Sequence, residues 1–284
     1  MVASPADSPG SHEMKPPLFD YVRADSAEAA AKLLERFGEG ARILAGGQSL
    51  MAVLNMRLAQ PSLLIDISRC ESLSMIEVRS REVRVGAAVT QAQLQAHPDV
   101  PPLLKLAFPY ISHFQIRNRG TVCGSIAHAD PSAELPLCLL ALKGVVHLLS
   151  SRGRRDVPAS EFFTGLLSTA RANNELIEAV SFPRPVGGQG FGFAEHSRRH
   201  GDFALCAVAV VSDAKELRVT VGGLGDRPHA EVIPQLEGDA LDKALNELAW
   251  SLDVRDDPAT PAATRRHLLR RLAVQAIQQA RRQT

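Results

Sequence analysis

Apolar residues recur at helical spacing in some segments of the chain and alternate with polar residues in others. Apolar positions between residues 30 and 37 lie three or four apart and Gly38 follows them, which predicts a helix that ends at this glycine. Asp25 and Glu28 predict the start of this helix, as its N-cap and its capping-box partner. The first predicted element is therefore a capped helix followed by a glycine stop.

The same criteria predict a mixture of strands and helices over the rest of the chain. Strands are predicted at residues 42–45, 63–67, 145–149, 204–212 and 217–221, with a hairpin around residues 78–85. Helices are predicted at residues 49–58, 90–96, 101–109, 134–142, 239–252 and 262–280. The two kinds of element are mixed irregularly rather than in a regular βαβ order, which indicates an α+β fold.

Chain length and breaker residues suggest how the chain divides into domains. Its 284 residues are enough for two domains. Pro183, Pro185 and the glycine pair at 187–188 interrupt the pattern and predict a domain boundary near residue 188. We therefore expect the following division: a disordered tail rich in Ser, Pro and Ala at 1–14, a first domain at 15–187 and a second at 188–284.

Charge and cysteine content limit the binding partners and the cellular compartment that we expect for this chain. The net charge of +1 gives no electrostatic reason to expect nucleic acid as a partner. The longest uninterrupted apolar run, residues 203–211, is far shorter than the roughly 20 residues that span a bilayer. The four cysteines form no CxxC pair and no zinc or iron–sulfur spacing, which predicts a reduced, cytoplasmic chain without a metal site.

Two glycine-containing segments in the first half of the chain carry the most information about function. One is Ala-Gly-Gly-Gln-Ser-Leu at 45–50, and the other is Thr-Val-Cys-Gly-Ser at 121–125. Both precede helix-like sequence, and glycine lets successive backbone N–H groups approach the oxygens of a phosphate group. Together they predict one extended ligand held from both sides, such as the pyrophosphate of a dinucleotide. Either segment alone is more often an ordinary tight turn.

Polar side chains in and after these segments add candidate contacts. Gln48, Ser49, Thr121 and Ser125 offer donors for phosphate oxygens, and Ser49 also predicts a cap for the following helix. Glu134 opens a predicted helix and offers an acceptor for ribose hydroxyls, although the helix dipole alone also favours a carboxylate there. The first segment lacks the spaced glycines of a Rossmann fingerprint and the lysine of a Walker motif.

His128 and Cys123 are the other groups near the second segment with proton or redox chemistry. His128 is a candidate to donate a proton or to contact a flavin, against the commoner role of a loop histidine as a solvated or packing residue. Cys123 lies where a redox cofactor would pass, against its ordinary role as a small buried residue. Since no pattern supports a nucleophile, a glycosidase acid pair or a metal cluster, we assign no catalytic and no metal-binding residue.

Several short motifs follow one another in a fixed order along the chain. They are residues 16–21 (Pro-Pro-Leu-Phe-Asp-Tyr), 45–50, 85–87 (Val-Gly-Ala), 115–125 (Gln-Ile-Arg-Asn-Arg-Gly and the second glycine segment), 129–131 (Ala-Asp-Pro), 134–136 (Glu-Leu-Pro), 201–204 (Gly-Asp-Phe-Ala) and 221–225 (Val-Gly-Gly-Leu-Gly). In this order the chain resembles the FAD-binding medium subunits of molybdenum-containing hydroxylases, the group of carbon monoxide dehydrogenase and the flavin domain of xanthine dehydrogenase. The resemblance covers nearly everything from residue 15 to the C-terminus.

The resemblance implies an α+β fold of the p-cresol methylhydroxylase type. Two α+β subdomains, at about 15–70 and 71–187, would clasp non-covalently bound FAD, and a C-terminal α/β domain of the carbon monoxide dehydrogenase flavoprotein type would follow. Molybdopterin and [2Fe-2S] clusters would lie only on a large and a small partner subunit, in a dimer of heterotrimers. This chain would take electrons from the clusters onto FAD and pass them to an external acceptor.

The resemblance also implies roles for residues by position. Residues 45–49 would wrap the pyrophosphate, and residues 121–125 would line the other side of the cofactor. Glu134 would serve the adenosine half, Ile177 would be an apolar contact to the flavin, and Phe203 would cover the ring. The residues expected to bind FAD are Ala45, Gly46, Gly47, Gln48, Ser49, Leu50, Ile111, Ser112, Thr121, Cys123, Gly124, Ser125, His128, Glu134, Ile177 and Phe203.

Three positions depart from the family pattern. Cys123 stands where the family commonly has glycine, so a positive φ there would strain the backbone by about 1 kcal/mol or more. Glu134 replaces a commoner aspartate, and no lysine stands near Glu195, where some relatives have one that reaches the flavin carbonyl edge. These departures leave the flavin potential and the preferred electron acceptor open.

Two alternatives to the electron-transfer role stay open. One is a self-sufficient FAD-dependent reductase of the same fold, similar to UDP-N-acetylenolpyruvoylglucosamine reductase, which the Gly-Asp-Phe segment at 201–203 disfavours. The other is a non-catalytic nucleotide-binding scaffold subunit. The substrate of the complex is not encoded in this chain, since another subunit would select it.

Overall fold

Three main sheets follow one another along the chain, with helices packed against them. The computed structural model describes residues 15–254, 256 and 260–283. The disordered tail predicted at residues 1–14 lies outside the described residues. The three sheets are built from residues 20–66, from residues 76–183 and from residues 190–234.

The first sheet is parallel, with strand order β1-β3-β2. Its elements are β1 (Asp20–Arg23), α1 (Ala27–Phe37), β2 (Ala41–Leu44), α2 (Leu50–Asn55) and β3 (Leu63–Asp66). Helix α1 buries an apolar face that includes Leu34, and it ends at Gly38 with φ of 52°, as the pattern predicted. Its N-cap is Ser26, whose hydroxyl oxygen accepts a hydrogen bond from the Ala29 N–H. The prediction of Asp25 as the cap was therefore wrong, by one residue.

The second sheet has five strands in the order β4-β5-β10-β6-β7, and its neighbours are antiparallel. Its part of the chain contains β4 (Ile76–Val78), β5 (Glu82–Gly86), α3 (Gln91–Ala96), α4 (Pro102–Ala107), α5 (Phe114–Arg117), α6 (Val122–His128), α7 (Glu134–Ala141), β6 (Val145–Ser150), β7 (Gly153–Pro158), α8 (Ala159–Phe162), β8 (Phe163–Gly165), β9 (Ser168–Thr169) and β10 (Leu176–Pro183). Strand β10 is the last strand of this part of the chain, yet it lies between β5 and β6 at the centre of the sheet.

The third sheet is antiparallel, in the order β11-β12-β13-β14, and two helices follow it. Its elements are β11 (Gly190–Ser197), β12 (Ala204–Ser212), β13 (Glu216–Gly222), β14 (His229–Pro234), α9 (Gly238–Ser251) and α10 (Ala262–Arg281). One face, which includes Phe193 and Ala209, joins the core of the earlier part of the chain. The other face, which includes Val208 and Val219, packs with α9 and α10.

Most of the predicted elements are present, with ends that differ by at most three residues. The mixed α+β composition predicted from the pattern is confirmed. Strand β11 was not predicted; two of its first three residues are glycines, which are unfavourable in a strand interior. One of them, Gly192, is required by packing, since a Cβ there would lie 1.9 Å from the Ala276 carbonyl oxygen of α10.

Candidate functional site

A cleft opens where β2 and β3 end. Parallel strands end at one edge of a sheet, and ligands of such sheets bind outside that edge. The cleft has a volume of about 400 Å³. Its lining residues are Leu44, Ala45, Gly46, Gly47, Gln48, Met51, Asp66, Ser68 and Arg119. The first glycine segment therefore forms one wall of the cleft, while Arg119 approaches from a distant part of the chain.

The chain regions that carry the two glycine segments meet at Gly46. A Cβ on Gly46 would lie 2.1 Å from the carbonyl oxygen of Arg119 and 2.8 Å from the Cα of Gly120. Only a residue without a side chain lets the two backbones approach this closely. Residues 45–50 thus lie directly against the two residues that precede the second segment.

The turn at residues 47–49 borders the cleft through Gly47 and Gln48 and carries unused backbone donors. Within the described chain, the N–H groups of Gly47, Gln48 and Ser49 donate no hydrogen bond. Gly47 has φ of 72°, and the Gln48 amide donates from Nε2 to the Gly46 carbonyl at 3.0 Å. Successive amide groups in such a turn form a concave site for anionic oxygens. The turn therefore fits the diphosphate group predicted from the sequence.

Ser49 stands at the N-cap position of α2 without capping it through its side chain. Its backbone is helical, with φ of −94° and ψ of −43°, and within the described chain its hydroxyl makes no cap hydrogen bond. Side-chain capping needs an extended backbone at this position. The prediction of a Ser49 cap was therefore wrong, and Leu50 simply begins the helix.

The second segment, residues 121–125, forms the start of α6 rather than a glycine turn. Thr121 is the N-cap, and its Oγ1 accepts a hydrogen bond from the Gly124 N–H at 2.9 Å. The Ser125 N–H donates to the Thr121 carbonyl, and the Val122 N–H donates to the Val89 carbonyl. A Cβ on Gly124 would lie 2.6 Å from Thr121 Oγ1, so the glycine serves the cap. Most amides of this segment are therefore used inside the protein.

Cys123 is a core residue of α6. It is 2% exposed, and its thiol donates to the Val85 carbonyl oxygen at 3.5 Å. Burial raises the pKa of this thiol to about 12. The residue is helical and is not among the described residues with positive φ. The strain expected for a glycine replacement is therefore not present. His128 is half-buried at the last position of α6 rather than in a loop.

The loop with Ile111 and Ser112 is held in a strained conformation by Arg117. Arg117 donates from Nη1 to the Ile111 carbonyl at 2.6 Å and to the Ser112 carbonyl at 2.9 Å. Ser112 has φ of 41°, which costs a residue with a side chain roughly 1–2 kcal/mol. Strain of this kind is concentrated at ligand-contacting loops. The observation supports a functional role for this loop.

A loop of the third sheet meets this strained loop. A Cβ on Gly201 would lie 3.0 Å from His113 Cε1, and the rings of His113 and His200 have centroids 6.2 Å apart. Phe203, two residues further on, is 69% exposed. The structure thus brings the predicted residues Ser112 and Phe203 into neighbouring loops. Ile177 is instead buried on β10 at a β-bulge, away from the cleft lining.

One buried and one half-buried carboxyl group lie where α7 meets the third sheet. Glu134, the first residue of α7, is 9% exposed, and burial followed by the nearby charge of Asp130 raises its pKa to about 7. Burial followed by the charge of Glu134 raises the pKa of Glu195, on β11, to about 8. Within the described chain, Glu195 Oε2 is buried without a hydrogen-bond partner.

A third acidic residue, Asp66, borders the cleft in its charged form. The Tyr21 hydroxyl donates to Asp66 Oδ2, and the Ser68 N–H donates to Oδ1 at 2.7 Å. Burial opposes ionisation, but these hydrogen bonds together hold the pKa of Asp66 below its usual range. A carboxylate at this edge disfavours phosphate oxygens and favours a hydroxyl donor.

Several residues of these sites were not predicted from the sequence: the polar residues Asp66, Ser68, Arg119 and Glu195, and the apolar cleft residues Leu44 and Met51. Asp66 and Ser68 could have been predicted from their position, because they lie at the end of a predicted strand and that strand follows the first glycine segment. Glu195 had a signal as the charged member of the alternation Phe191, Phe193, Glu195 on a buried strand face.

Among the described residues, no group of three or more His, Cys, Asp and Glu is arranged to hold a metal ion. None of the helices in that same part of the chain has the length and apolarity to cross a bilayer.

Residues 17–185 match the family described as the FAD binding domain in molybdopterin dehydrogenase. The chain belongs to this family. It is 39% identical over 283 residues to the nicotine 6-hydroxylase medium subunit of Paenarthrobacter nicotinovorans, which covers 93% of this chain and 99% of that one. It is 33% identical over 249 residues to the carbon monoxide dehydrogenase medium chain of Afipia carboxidovorans, covering 84% and 86% of the two chains.

The structure is similar to that of a relative in the same family. Reconstituted CO dehydrogenase from Oligotropha carboxidovorans superimposes with a TM-score of 0.90 at 29% identity, covering 95% of this chain and 99% of that chain. These findings confirm the predicted family, the FAD cofactor and the class of FAD-dependent oxidoreductase subunit. Among the three hypotheses that the sequence left open, the family supports the medium FAD subunit of a molybdenum hydroxylase.

Proposed function

We propose that this chain binds FAD along the cleft at residues 45–50 and carries electrons from a small [2Fe-2S] subunit to an external acceptor. A large molybdopterin subunit would oxidise the substrate, and the three subunits would form a cytoplasmic dimer of heterotrimers. FAD supplies the redox chemistry once bound. The residues of this chain bind it, orient it and exclude water from it.

The observation that carries this proposal is the turn at residues 47–49, with three backbone donors beside a close contact between distant segments. The N–H groups of Gly47, Gln48 and Ser49 would hold the diphosphate oxygens. Arg119 lines the same cleft and adds positive charge for a diphosphate. Asp66 would accept a hydrogen bond from a ribose hydroxyl, because it is charged and lies at the edge of this cleft.

The remaining site residues would contact the cofactor beyond the diphosphate. Ile111 and Ser112 lie on the strained loop, and Phe203 lies exposed on the loop that meets it. These positions favour a ring held where the third sheet meets the earlier part of the chain. We also propose the domain division at residue 188, with subdomains at about 15–70 and 71–187, because each of the three parts has a main sheet of its own.

The experiment is to measure FAD content in the Gly47→Val variant of the purified complex. Gly47 has φ of 72°, and a Cβ there would lie 3.3 Å from Leu44 Cδ1. A β-branched residue therefore distorts the turn that presents the amide groups. We expect FAD affinity to fall about tenfold or more, which corresponds to about 1.4 kcal/mol.

The matched control is Gly188→Val, which also changes a glycine of positive φ. Gly188 has φ of 81°, a Cβ on it would have no atom of the described chain within 4 Å, and it lies outside the cleft lining. The control variant pays a similar backbone penalty for a side chain at positive φ, and we expect it to keep its FAD. Full FAD retention in Gly47→Val, with affinity equal to that of the control, would contradict the role of this turn.

A further inference from the structure

Arg117 is the last residue of α5, and its side chain turns back to the loop that precedes this helix. Its Nη1 donates to the Ile111 carbonyl at 2.6 Å and to the Ser112 carbonyl at 2.9 Å. Its Nε donates to Oε1 of Gln95, on α3, at 3.1 Å. Because a guanidinium group is planar, hydrogen bonds in two directions fix both its position and its orientation. Arg117 therefore ties the loop to α3.

The loop is held by this side chain rather than by its own backbone. Among the described residues, no backbone N–H donates to the Ile111 or Ser112 carbonyl. Ser112 has φ of 41°, in the left-handed region that a residue with a Cβ rarely occupies. Without the two hydrogen bonds from Arg117, Ser112 would take a more common conformation in most molecules. The contact thus maintains a backbone conformation that the local sequence disfavours.

Helix α5 also connects this loop to the cleft. The N–H groups of Arg119 and Gly120 both donate to the Ile116 carbonyl, at 3.1 Å and 2.6 Å. Arg119 lines the cleft, and Gly120 lies against Gly46. At the other end of α5, the ring of His113 lies beside the loop between β11 and β12. The hydrogen bonds that anchor the end of α5 therefore act both on the strained loop and on the wall of the cleft.

We propose that Arg117 is a positioning residue for FAD binding: it holds the loop of Ile111 and Ser112 in its binding conformation before the cofactor arrives. This inference rests on the proposed function, because it needs FAD to contact this loop as well as the cleft. A site that is already in its binding conformation loses no affinity to a conformational change on binding. Arg117 acts through the backbone of the loop and does not itself touch the cofactor.

The first test is a calorimetric titration with FAD of the purified complex stripped of its flavin, in the wild type and in Arg117→Met. Methionine keeps most of the side-chain length and removes every donor. When only about a tenth of the molecules keep Ser112 in the left-handed region, FAD affinity should fall about tenfold. Arg117→Lys keeps a charged donor within reach of the loop, so it should recover most of this loss.

The matched control is Arg171→Met. Arg171 also donates from Nη1 to two backbone carbonyls, those of Ala172 and Glu175, at 2.9 Å and 2.7 Å. Residues 172–175 are all described, and none of them has a positive φ. The control therefore removes the same kind of contact without releasing a strained backbone, and it should keep its FAD affinity. An equal loss of affinity in both variants would overturn the inference.

The decisive test replaces Ser112 in the Arg117→Met background. Glycine adopts a positive φ without a steric penalty, so Arg117→Met with Ser112→Gly should bind FAD within about threefold of the wild type. Alanine keeps the penalty, so Arg117→Met with Ser112→Ala should stay about tenfold weaker. A role of Arg117 in stability alone predicts no difference between the two double variants. Failure of glycine to restore binding, or equal recovery with alanine, would therefore overturn the positioning role.

Gln95→Ala gives a milder perturbation if the Arg117→Met complex does not assemble. Gln95 is exposed on α3, and its loss removes the anchor of Arg117 Nε while the two bonds to the loop can still form. FAD affinity should fall about twofold to threefold, the effect of a single exposed hydrogen bond, and Ser112→Gly should again restore it. Wild-type affinity in Gln95→Ala, or a loss that Ser112→Gly leaves unchanged, would count against the inference.

The outcomes separate this inference from the proposed function. Wild-type affinity in Arg117→Met, together with loss of FAD in Gly47→Val, would overturn the positioning role and leave the diphosphate site in place. Wild-type affinity in both variants would contradict the proposed function as well. Weaker binding in Arg117→Met that glycine, but not alanine, restores at residue 112 supports the inference.

Discussion

The surroundings of Cys123 decide what this residue does, although its sequence position suggested cofactor contact. It lies in α6, with its thiol against the Val85 carbonyl and its pKa raised by burial. A thiol with a high pKa is protonated at neutral pH and behaves as a small apolar group. Gly124 is likewise explained by the Thr121 cap rather than by a ligand. At the scale of single residues, local helix geometry accounts for this segment.

We predict that Cys123→Gly lowers the stability of the apo-protein and leaves FAD binding intact. Glycine in a helix interior costs up to about 1 kcal/mol, and loss of the buried side chain adds about 1–2 kcal/mol. Urea unfolding should show this loss, and a flavin titration should give the wild-type affinity. Cys123→Ala is the control, since it keeps helix propensity and removes only the sulfur. Loss of FAD from a folded Cys123→Ala variant would show instead that the thiol contacts the cofactor.

The second sheet is joined across three strands by a polar trio in which His147 and Ser181 are buried and Asp156 is exposed. His147 on β6 contacts Asp156 on β7 through Nδ1 at 2.6 Å and Ser181 on β10 through Nε2 at 2.8 Å. A serine, a histidine and an aspartate hydrogen-bonded in this spatial sequence also form the catalytic triad of serine hydrolases. Ser181 is 1% exposed, however, so its hydroxyl cannot reach a substrate. The trio therefore fixes the register of β6, β7 and β10.

We predict that His147→Ala destabilises the protein by about 1–3 kcal/mol, because it leaves the buried Ser181 hydroxyl without its partner. Urea unfolding at neutral pH measures this change. Ser181→Ala should cost less, and the double variant should cost less than the sum, because the two residues share one hydrogen bond. His196→Ala, which changes an exposed histidine on β11, should have little effect. Strictly additive effects of His147→Ala and Ser181→Ala would contradict the coupling.

Elements differ in how well the sequence predicts them. Helix α1 and strand β12 were predicted within a few residues, since their apolar patterns are long and regular. Helix α6 was missed because it is short and contains Gly124, which its N-cap requires. Strand β10 was missed because its position between β5 and β6 depends on residues far away in the chain. Short or glycine-containing elements are fixed by contacts that local periodicity does not report.

Across the whole molecule, charged side chains join the first sheet's helix to the second sheet. Arg154 on β7 donates to Glu28 of α1 at 2.7 Å and to Glu178 of β10 at 2.8 Å. Arg152 pairs with Glu35 of α1 at 3.0 Å. The cleft lies between residues 45–50 and Arg119, which belong to these same two parts of the chain. Contacts that hold the two parts together therefore help to form the cleft in which we propose that FAD binds.

We predict that Arg154→Ala weakens this junction by up to about 1 kcal/mol at low ionic strength, because exposed ion pairs contribute little. The effect on the apo-protein Tm should shrink as salt is added, since salt screens exposed charges. Arg79→Ala is the control: it removes ion pairs to Glu77 and Glu82 within the β4–β5 hairpin alone. FAD affinity should fall slightly in Arg154→Ala and not in Arg79→Ala. An equal change of FAD affinity in both variants would contradict a role for the junction.

The sequence alone determined the α+β class, most helices, about half of the strands, the two glycine segments and the family, because each depends on local periodicity or on short motifs in order. Tertiary structure decided which groups meet. It set Gly46 against Arg119, used the amides of Val122, Gly124 and Ser125 inside the protein, and buried Glu134 at the start of α7. Such contacts depend on how distant segments pack, and hydrogen bonding and burial, rather than residue type, then determine which donors and carboxyls remain for a ligand.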